Sequence, residues 1–188
     1  MTESSMSRRA LAASLSLLPL ATVAATDSAS RHPGAAGISP ADRAAIEDLY
    51  VRYMWSYDCN DEQGFLDLFT ADAIAVGYPE MKEVYRTPEA MLGWFRFLTQ
   101  LREKEGDDWQ HFAYNHRFEG DAKRCVVYSY ATHFNSNREK KTLGVRSTGY
   151  FVCECVNTAE GWRFRRFSIN HWDRTRPPWT KPLPWADL

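Results

Sequence analysis

The sequence predicts an α+β fold in which helices come first and a curved, mainly antiparallel sheet follows. Two patterns support this prediction. Apolar residues recur at helical spacing up to about residue 104, and beyond it they alternate with a period of two over four segments. Turn-like residues separate those segments, so consecutive strands should pair as antiparallel neighbours. We therefore expect a cone-shaped barrel, made of a curved sheet whose concave face is covered by three N-terminal helices.

Two of the three predicted helices have a signal for their start. The first runs from about residue 40 to 58, because Ser39 is a capping residue and Pro40 suits a first turn. A second, short helix is expected over 61–69, and a third begins at Thr87-Pro88 and continues to about 104.

The strands are predicted from alternation between turns. A short strand is expected at 73–76. Four long strands are expected near 110–119, 123–136, 144–157 and 161–172. A cavity between the concave face of such a sheet and its helices is the natural place for a small-molecule site.

The N-terminus has the features of an export signal over residues 1–25. Arg8 and Arg9 precede an apolar run that is too short to span a bilayer and that ends in small residues at 23–25. The pattern resembles a twin-arginine signal; an ordinary secretory signal is the alternative, and Met6 is an alternative start. We therefore expect a periplasmic or secreted protein with no membrane span.

The rest of the chain divides into three parts. Residues 26–38 are rich in small and polar residues and are predicted to be a flexible linker. The folded domain is expected over 39–176, followed by a C-terminal tail over 177–188. Two Pro-Trp units favour a tail that is packed rather than disordered.

Composition and charge exclude several classes of partner. The formal net charge is −1 over 188 residues, with no long block of like charge, so neither a nucleic acid nor a membrane surface is expected. The aromatic share is 14%. Aromatic side chains can fill a core, and they can also line a pocket for a flat, apolar ligand.

Motifs for metal binding, covalent catalysis and phosphate binding are missing from the sequence. The four cysteines form no Cys-x-x-Cys pair and are interpreted as small buried hydrophobic residues. Strict alternation puts His111 and His116 on opposite faces of their strand, and no His-x-His pair exists. No Gly-x-Ser-x-Gly sequence or phosphate-binding glycine loop is present.

Asp58 and His111 are the first candidates for chemistry. Asp58 ends the first helix, where the helix dipole disfavours a carboxylate, so it needs a specific partner. If His111 is that partner, the carboxylate orients the imidazole and raises its basicity, and the ring can move a proton on a substrate. An exposed acid and a structural histidine are the alternatives.

Tyr53 and Tyr57 are one turn apart on the helix that carries Asp58, so both can reach one cavity. A phenol there can polarise a carbonyl or help a hydroxyl to leave. Packing against the sheet is the alternative for either residue.

Three segments match, in order and spacing, the first helix, the first long strand and the last strand of a known family. They are Ile46-Glu47-Asp48-Leu49-Tyr50 with Asp58 eight residues after the tyrosine, His111–Glu119, and Gly161-Trp162-Arg163-Phe164. Together they resemble SnoaL-like proteins of the nuclear transport factor two superfamily over about 40–172. The most similar types are scytalone dehydratase, bile-acid 7α-dehydratase and hexachlorocyclohexane dehydrochlorinase.

This resemblance implies an Asp58–His111 pair and a catalytic Tyr53, which stands where the dehydrochlorinase has a lysine. It also implies substrate-binding residues, which are Tyr57, Asn115, Tyr130, Thr132, Phe134, Arg146 and Tyr150. His133 falls on the apparent outer face. Such enzymes use no metal or other cofactor and are commonly trimeric, so a homo-oligomer is expected.

The function expected from these residues is a dehydratase-type lyase acting on a hydroxylated, ring-containing hydrophobic or aromatic small molecule. One alternative is a non-catalytic binding module, or a protein like the small subunit of ring-hydroxylating dioxygenases. Another is an isomerase or an aldehyde-releasing lyase, which would use the same proton transfers.

Overall fold

A computed structural model describes residues 37–77 and 83–188. The elements in chain order are α1 Pro40–Asp58, α2 Glu62–Leu66, β1 Phe69–Val76, β2 Val84–Tyr85, α3 Pro88–Glu105, β3 Asp108–Gly120, β4 Arg124–Asn137, β5 Thr142–Thr158, β6 Gly161–His171 and a 3₁₀ turn Pro178–Thr180. The expected export signal over 1–25, and the expected linker up to residue 36, lie outside the described residues.

All six strands form one curved, open sheet in the order β2-β1-β6-β5-β4-β3. The four long strands pair as antiparallel neighbours, β1 pairs with β2 antiparallel, and β1 pairs with β6 in parallel. The α+β class and the curved, mainly antiparallel sheet are therefore confirmed. The two-residue strand β2 was not predicted, because so short a segment shows no alternation.

The predicted helix starts are confirmed by capping hydrogen bonds. The Ser39 hydroxyl accepts from the backbone N–H of Asp42 at 3.0 Å, and the Thr87 hydroxyl accepts from that of Ala90 at 3.1 Å. At its other end α3 stops at Gly106, whose φ of 68° lies in the left-handed region that glycine adopts without strain.

The core between helices and sheet consists largely of aromatic rings. Tyr53 of α1 packs against Phe167 of β6 with ring centroids 4.6 Å apart. Phe65 of α2 packs against Phe95 of α3 at 4.8 Å and against Tyr53 at 5.8 Å. Much of the aromatic excess seen in the sequence therefore fills the core.

The residues at both ends of the domain pack against the rest of it. Ile38, assigned from the sequence to the linker, is buried in the core, and Gly37 forms a bridge with Asp121. At the other end, Leu183 and Trp185 of the tail pack on the cluster Tyr128, Tyr150 and Val152. The tail thus covers part of the sheet's outer face, away from the helices.

All four cysteines are free thiols, and the expectation that they are buried is wrong for one of them. Cys59 is exposed, and the other three are buried. Burial raises the pKa of the Cys125 thiol to about 11 and that of the Cys153 thiol to about 12, so both stay protonated at neutral pH. Among the described residues, no helix is long and apolar enough to cross a bilayer.

Phe65→Ala should destabilise the protein by about 3–5 kcal/mol, since it empties a fully buried site where all three helices meet. Urea denaturation followed by fluorescence measures this change. Phe97→Ala, at a position 63% exposed on α3, is the matched control and should lose much less stability. If both variants lost the same free energy of unfolding, the packing of Phe65 in the core would be contradicted.

Candidate active site

Asp58 and His111 meet through two hydrogen bonds. The ring Nδ1 of His111 lies 2.6 Å from Oδ1 of Asp58, and the backbone N–H of His111 donates to Oδ2 at 2.9 Å. Both side chains are 17% exposed. Because the carboxylate accepts a hydrogen bond from the Nδ1–H group, the opposite ring nitrogen, Nε2, is left as the one that can accept a proton.

The positions of the two residues follow from the fold. Asp58 is the last residue of α1, and His111 is the fourth residue of the edge strand β3. Helix α1 packs against β3, so the end of the helix faces the beginning of the strand. Each oxygen of Asp58 is used, which fixes both the tautomer and the plane of the His111 ring.

A stack of rings continues from His111 across the sheet. His133 lies opposite His111 on β4, and their rings stack at 4.3 Å with an interplanar angle of 22°. The Tyr57 ring meets His111 edge-on at 4.9 Å, and the Trp109 ring meets His133 at 4.6 Å. The Arg146 guanidinium lies 4.9 Å from the centre of the Trp109 ring.

His133 is held neutral in this stack. Its partial burial, followed by the nearby His111, Arg146 and Arg102, lowers the pKa of His133 to about 3 from an ordinary 6.5. Its Nε2 and the Trp109 Nε1 are buried without a hydrogen-bond partner among the described residues. A neutral imidazole beside His111 adds no repulsion when His111 gains a proton.

His111 and the rings stacked around it form part of the wall of a cavity of about 360 Å³, and Asp58 lies behind His111, outside the lining. Five of the residues expected there line it, namely Tyr53, Tyr57, His111, Thr132 and Arg146. Residues that complete the wall include Trp94, Leu98, Leu101, Trp109, His133, Phe151 and Ile169. The cavity is thus mainly apolar and aromatic, with a smaller number of polar side chains among its lining residues, as is typical of small-molecule sites.

Two of the lining residues are already engaged by other groups. The Thr132 hydroxyl is hydrogen-bonded to the Tyr114 hydroxyl at 2.9 Å. Arg146 donates from Nη2 to Glu105 at 3.0 Å and lies 3.7 Å from the Asp107 carboxylate. The charge of Arg146 is therefore balanced by two acids before any ligand enters.

Four expected positions are wrong, because their side chains lie away from the cavity. Tyr130 packs on the ring of Trp172, and Phe134 packs on the ring of Phe112, both on the outer face. Tyr150 belongs to the cluster beneath the C-terminal tail. Asn115 is exposed, with a φ of 55°, at an irregularity of β3.

An irregularity of β3 explains why alternation failed for His116. The register of β3 shifts between Tyr114 and Arg117, so His116 turns inward, where its Nδ1 lies 2.6 Å from the Ser129 hydroxyl. His111 and His116 are therefore not on opposite faces. His133, expected outside, faces inward because it pairs directly with His111. The signal that could have placed it was its parity with the buried residues Cys125 and Val127 of the same strand.

No group of three or more histidine, cysteine, aspartate or glutamate side chains is arranged to hold a metal ion in the part of the chain that the structure describes.

The chain belongs to the SnoaL-like domain family, whose profile matches residues 39–168. No curated protein sequence matches significantly. The resemblance stated from the sequence is thereby confirmed at the level of family and fold.

Solved structures share this fold. Aln2 from a Streptomyces species superimposes with a TM-score of 0.63 at 22% identity, covering 72% of this chain and 94% of its own. A candidate scytalone dehydratase from Novosphingobium aromaticivorans gives 0.57 at 16% identity, covering 69% and 83%. ActVI-ORFA from Streptomyces coelicolor gives 0.60 at 16% identity, covering 69% and 96%. At these identities the likeness establishes the fold, and no activity follows from it.

The low pKa of His133 predicts a pH-dependent stability. Between about pH 6.5 and 3, the unfolded chain binds a proton at this residue that the folded protein does not bind. The free energy of unfolding should therefore fall as the pH falls through this range. His133→Gln removes the titrating imidazole, so the free energy of unfolding should decrease less on acidification than in the wild type. Urea denaturation at pH 7 and at pH 5 measures this difference.

The matched control is Phe134→Leu, which changes the neighbouring side chain without removing a titrating group. It should keep the wild-type difference between the two pH values. A His133→Gln variant that loses as much stability on acidification as the wild type would show that His133 is not held neutral.

Proposed function

We propose that the protein is a cofactor-independent, dehydratase-type lyase acting on a hydroxylated, ring-containing small molecule. The observation that carries this proposal is the two-point contact between Asp58 and His111 at the wall of a largely aromatic cavity. An imidazole that is held in one orientation, partly shielded from water and free to accept a proton at one nitrogen, can act as a general base.

The reaction follows from the geometry in two proton transfers. His111 Nε2 takes a proton from a carbon next to a carbonyl or from an activated ring carbon. The electron pair of that C–H bond becomes a double bond as the neighbouring C–O bond breaks. The imidazolium returns its proton to the departing hydroxide, which leaves as water, and His111 is neutral again. Asp58 stabilises the imidazolium between the two transfers.

Two tyrosines are placed to assist. Tyr53 and Tyr57 both line the cavity, and their rings lie 6.0 Å apart. A phenol hydroxyl that donates to the carbonyl oxygen of a substrate stabilises the negative charge that develops as the proton leaves. We assign this role to Tyr53, and we assign substrate contact to Tyr57, whose ring edge meets His111.

The cavity favours a flat, apolar substrate. Its volume of about 360 Å³ lies within the range of small-molecule pockets, and Trp94, Trp109 and Phe151 contribute aromatic surface. The fold shared with a candidate scytalone dehydratase is compatible with this class of substrate. An isomerase or an aldehyde-releasing lyase would need the same base and would be distinguished by its products.

Removing the base should abolish most of the turnover. We expect His111→Ala and Asp58→Asn to lower kcat/KM by about 10²–10⁴-fold, the usual contribution of general acid–base catalysis. A panel of hydroxylated ring ketones and phenols, assayed for dehydrated product by mass spectrometry, provides the measurement. His171→Gln, at an exposed histidine outside the cavity lining, is the control and should keep wild-type activity.

A different outcome would favour the non-catalytic alternative. If ligands bind the wild type and His111→Ala with equal affinity and no compound is converted, the protein is a binding module. Conversion that persists in both dyad variants would also contradict the proposed mechanism.

We also propose that the protein is exported and forms a homotrimer. For export, the support is the signal-like sequence of residues 1–25. For assembly, the support is a run of outer-face rings, here called the aromatic strip, which consists of Phe112, Tyr114, Tyr130, Phe134 and Trp172. Four of them are 38–49% exposed, which is typical of a surface that a partner covers.

Charges on the aromatic strip should disrupt the trimer. The double variant Phe112→Lys with Tyr130→Lys should be monomeric in light scattering, because lysines are poorly tolerated at the centre of an apolar interface. Val51→Lys, at a similarly exposed position on α1, should leave the trimer intact. A monomeric wild type, or a double variant that remains trimeric, would contradict this proposal.

A further inference from the structure

The C-terminal end of α1 is an unfavourable place for Asp58. The helix ends at Asp58, and its last turn contains no basic residue. The partial negative charge of the helix end therefore opposes the carboxylate, and the last carbonyl groups need donors from elsewhere. Something outside α1 has to compensate for both effects if Asp58 is to be held in place.

Arg102 of α3 supplies the missing donors. Its Nη1 donates to the carbonyl oxygen of Asp58 at 2.9 Å and to that of Tyr57 at 3.5 Å. Its Nη2 donates to the side-chain oxygen of Asn60. The residue is only 7% exposed. One guanidinium thus binds the backbone of the two site residues at the end of α1 and the side chain of the turn that follows.

Arg102 itself sits on a firmly anchored segment. The amide of Asn137, at the end of β4, donates to the carbonyl oxygens of Glu105 and Gly106 at 3.2 and 2.8 Å and to the Asp107 carboxylate at 2.8 Å. The backbone N–H of Asp107 donates to the carbonyl of Arg102 at 3.2 Å. The guanidinium is therefore tied to the sheet through the end of α3.

No acid among the described residues neutralises the charge of Arg102. Its hydrogen-bond acceptors in the described chain are two carbonyl groups and one amide, and no ion pair involves it there. A buried cation at the negative end of a helix is favourable, and it offsets the helix field at Asp58. Its effect also extends to the cavity, where it contributes to lowering the pKa of His133.

We propose that Arg102 is a positioning residue for the Asp58–His111 pair, holding the end of α1 so that both carboxylate oxygens reach His111. Arg102 does not line the cavity, so it acts through Asp58 and not on the substrate. Its importance for turnover rests on the proposed function, whereas its effect on the pair does not. The test therefore measures the pair directly.

The measurement is the proton NMR signal of the His111 Nδ1–H. A ring proton shared with a carboxylate at 2.6 Å resonates far downfield and exchanges slowly with water. Asp58→Asn assigns the signal by removing it. In Arg102→Met, exchange of this proton with water should accelerate by about tenfold or more, as expected when the carboxylate is no longer held. Arg102→Lys, which keeps the charge and a donor, should restore much of the protection.

Two further variants separate positioning from a general loss of stability. Arg96→Met makes the same change on the exposed side of α3, where Arg96 pairs with Glu62, and it should leave the signal unchanged. Asn60→Gly removes one acceptor of Arg102 at a residue with a φ of 60°, which glycine tolerates, so this variant should fold even if Arg102→Met does not. Like Arg102→Met, it should accelerate the exchange of the His111 Nδ1 proton with water.

The proposal is overturned if Arg102→Met, or Asn60→Gly where Arg102→Met does not fold, shows the wild-type exchange rate. It is also overturned if the wild type shows no signal that Asp58→Asn removes, since Arg102 would then have no pair to position. Either result is independent of whether any compound is converted. Absence of turnover with a normal, Arg102-dependent signal would contradict the lyase and leave the positioning role standing.

Discussion

The two hydrogen bonds between Asp58 and His111 join the end of α1 to the beginning of β3, and most other features of the site depend on them. They require that the helix stop at Asp58 and that the strand bring His111 to the same place. The helix end is electrostatically unfavourable for an acid, and Arg102 offsets this cost from α3. All three elements thus converge on a single residue, Asp58.

The aromatic residues have three separate tasks in this molecule. Tyr53, Phe65 and Phe167 pack the interior, where ring contacts join the helices to the sheet. Trp109 and Tyr57 flank the histidine stack and shape the cavity. On the outer face, rings are partly covered by the tail and partly exposed in the aromatic strip. A high aromatic content does not by itself indicate a pocket, because many of the aromatic residues pack the core or lie on the outer face.

The sequence predicted the class of fold, the helix starts and the pairing of the long strands, because these depend on local periodicity and capping. It also offered Asp58 as a candidate, since an acid at a helix end needs a partner, and the family resemblance implied His111 as that partner. It did not place His133, Tyr130 or Tyr150 correctly. Alternation along β4 is unbroken from Cys125 to His133, so the error was the choice of the inward parity. Tyr130 and Tyr150, taken as inward, lie on the outer face, where the tail covers Tyr150. Arg102 was missed because its partners are backbone carbonyls.

The proposed mechanism requires His111 to remove a proton from a carbon atom of the substrate. Deuterium uptake from heavy water into hydroxylated ring ketones, followed by mass spectrometry, tests this step without requiring the true leaving group. The wild type should accelerate exchange at the carbon next to the carbonyl in at least one such compound, and His111→Ala should reduce the rate to that of buffer. Exchange that proceeds equally fast in His111→Ala, or no acceleration by the wild type in any compound that binds, would contradict the proposed mechanism.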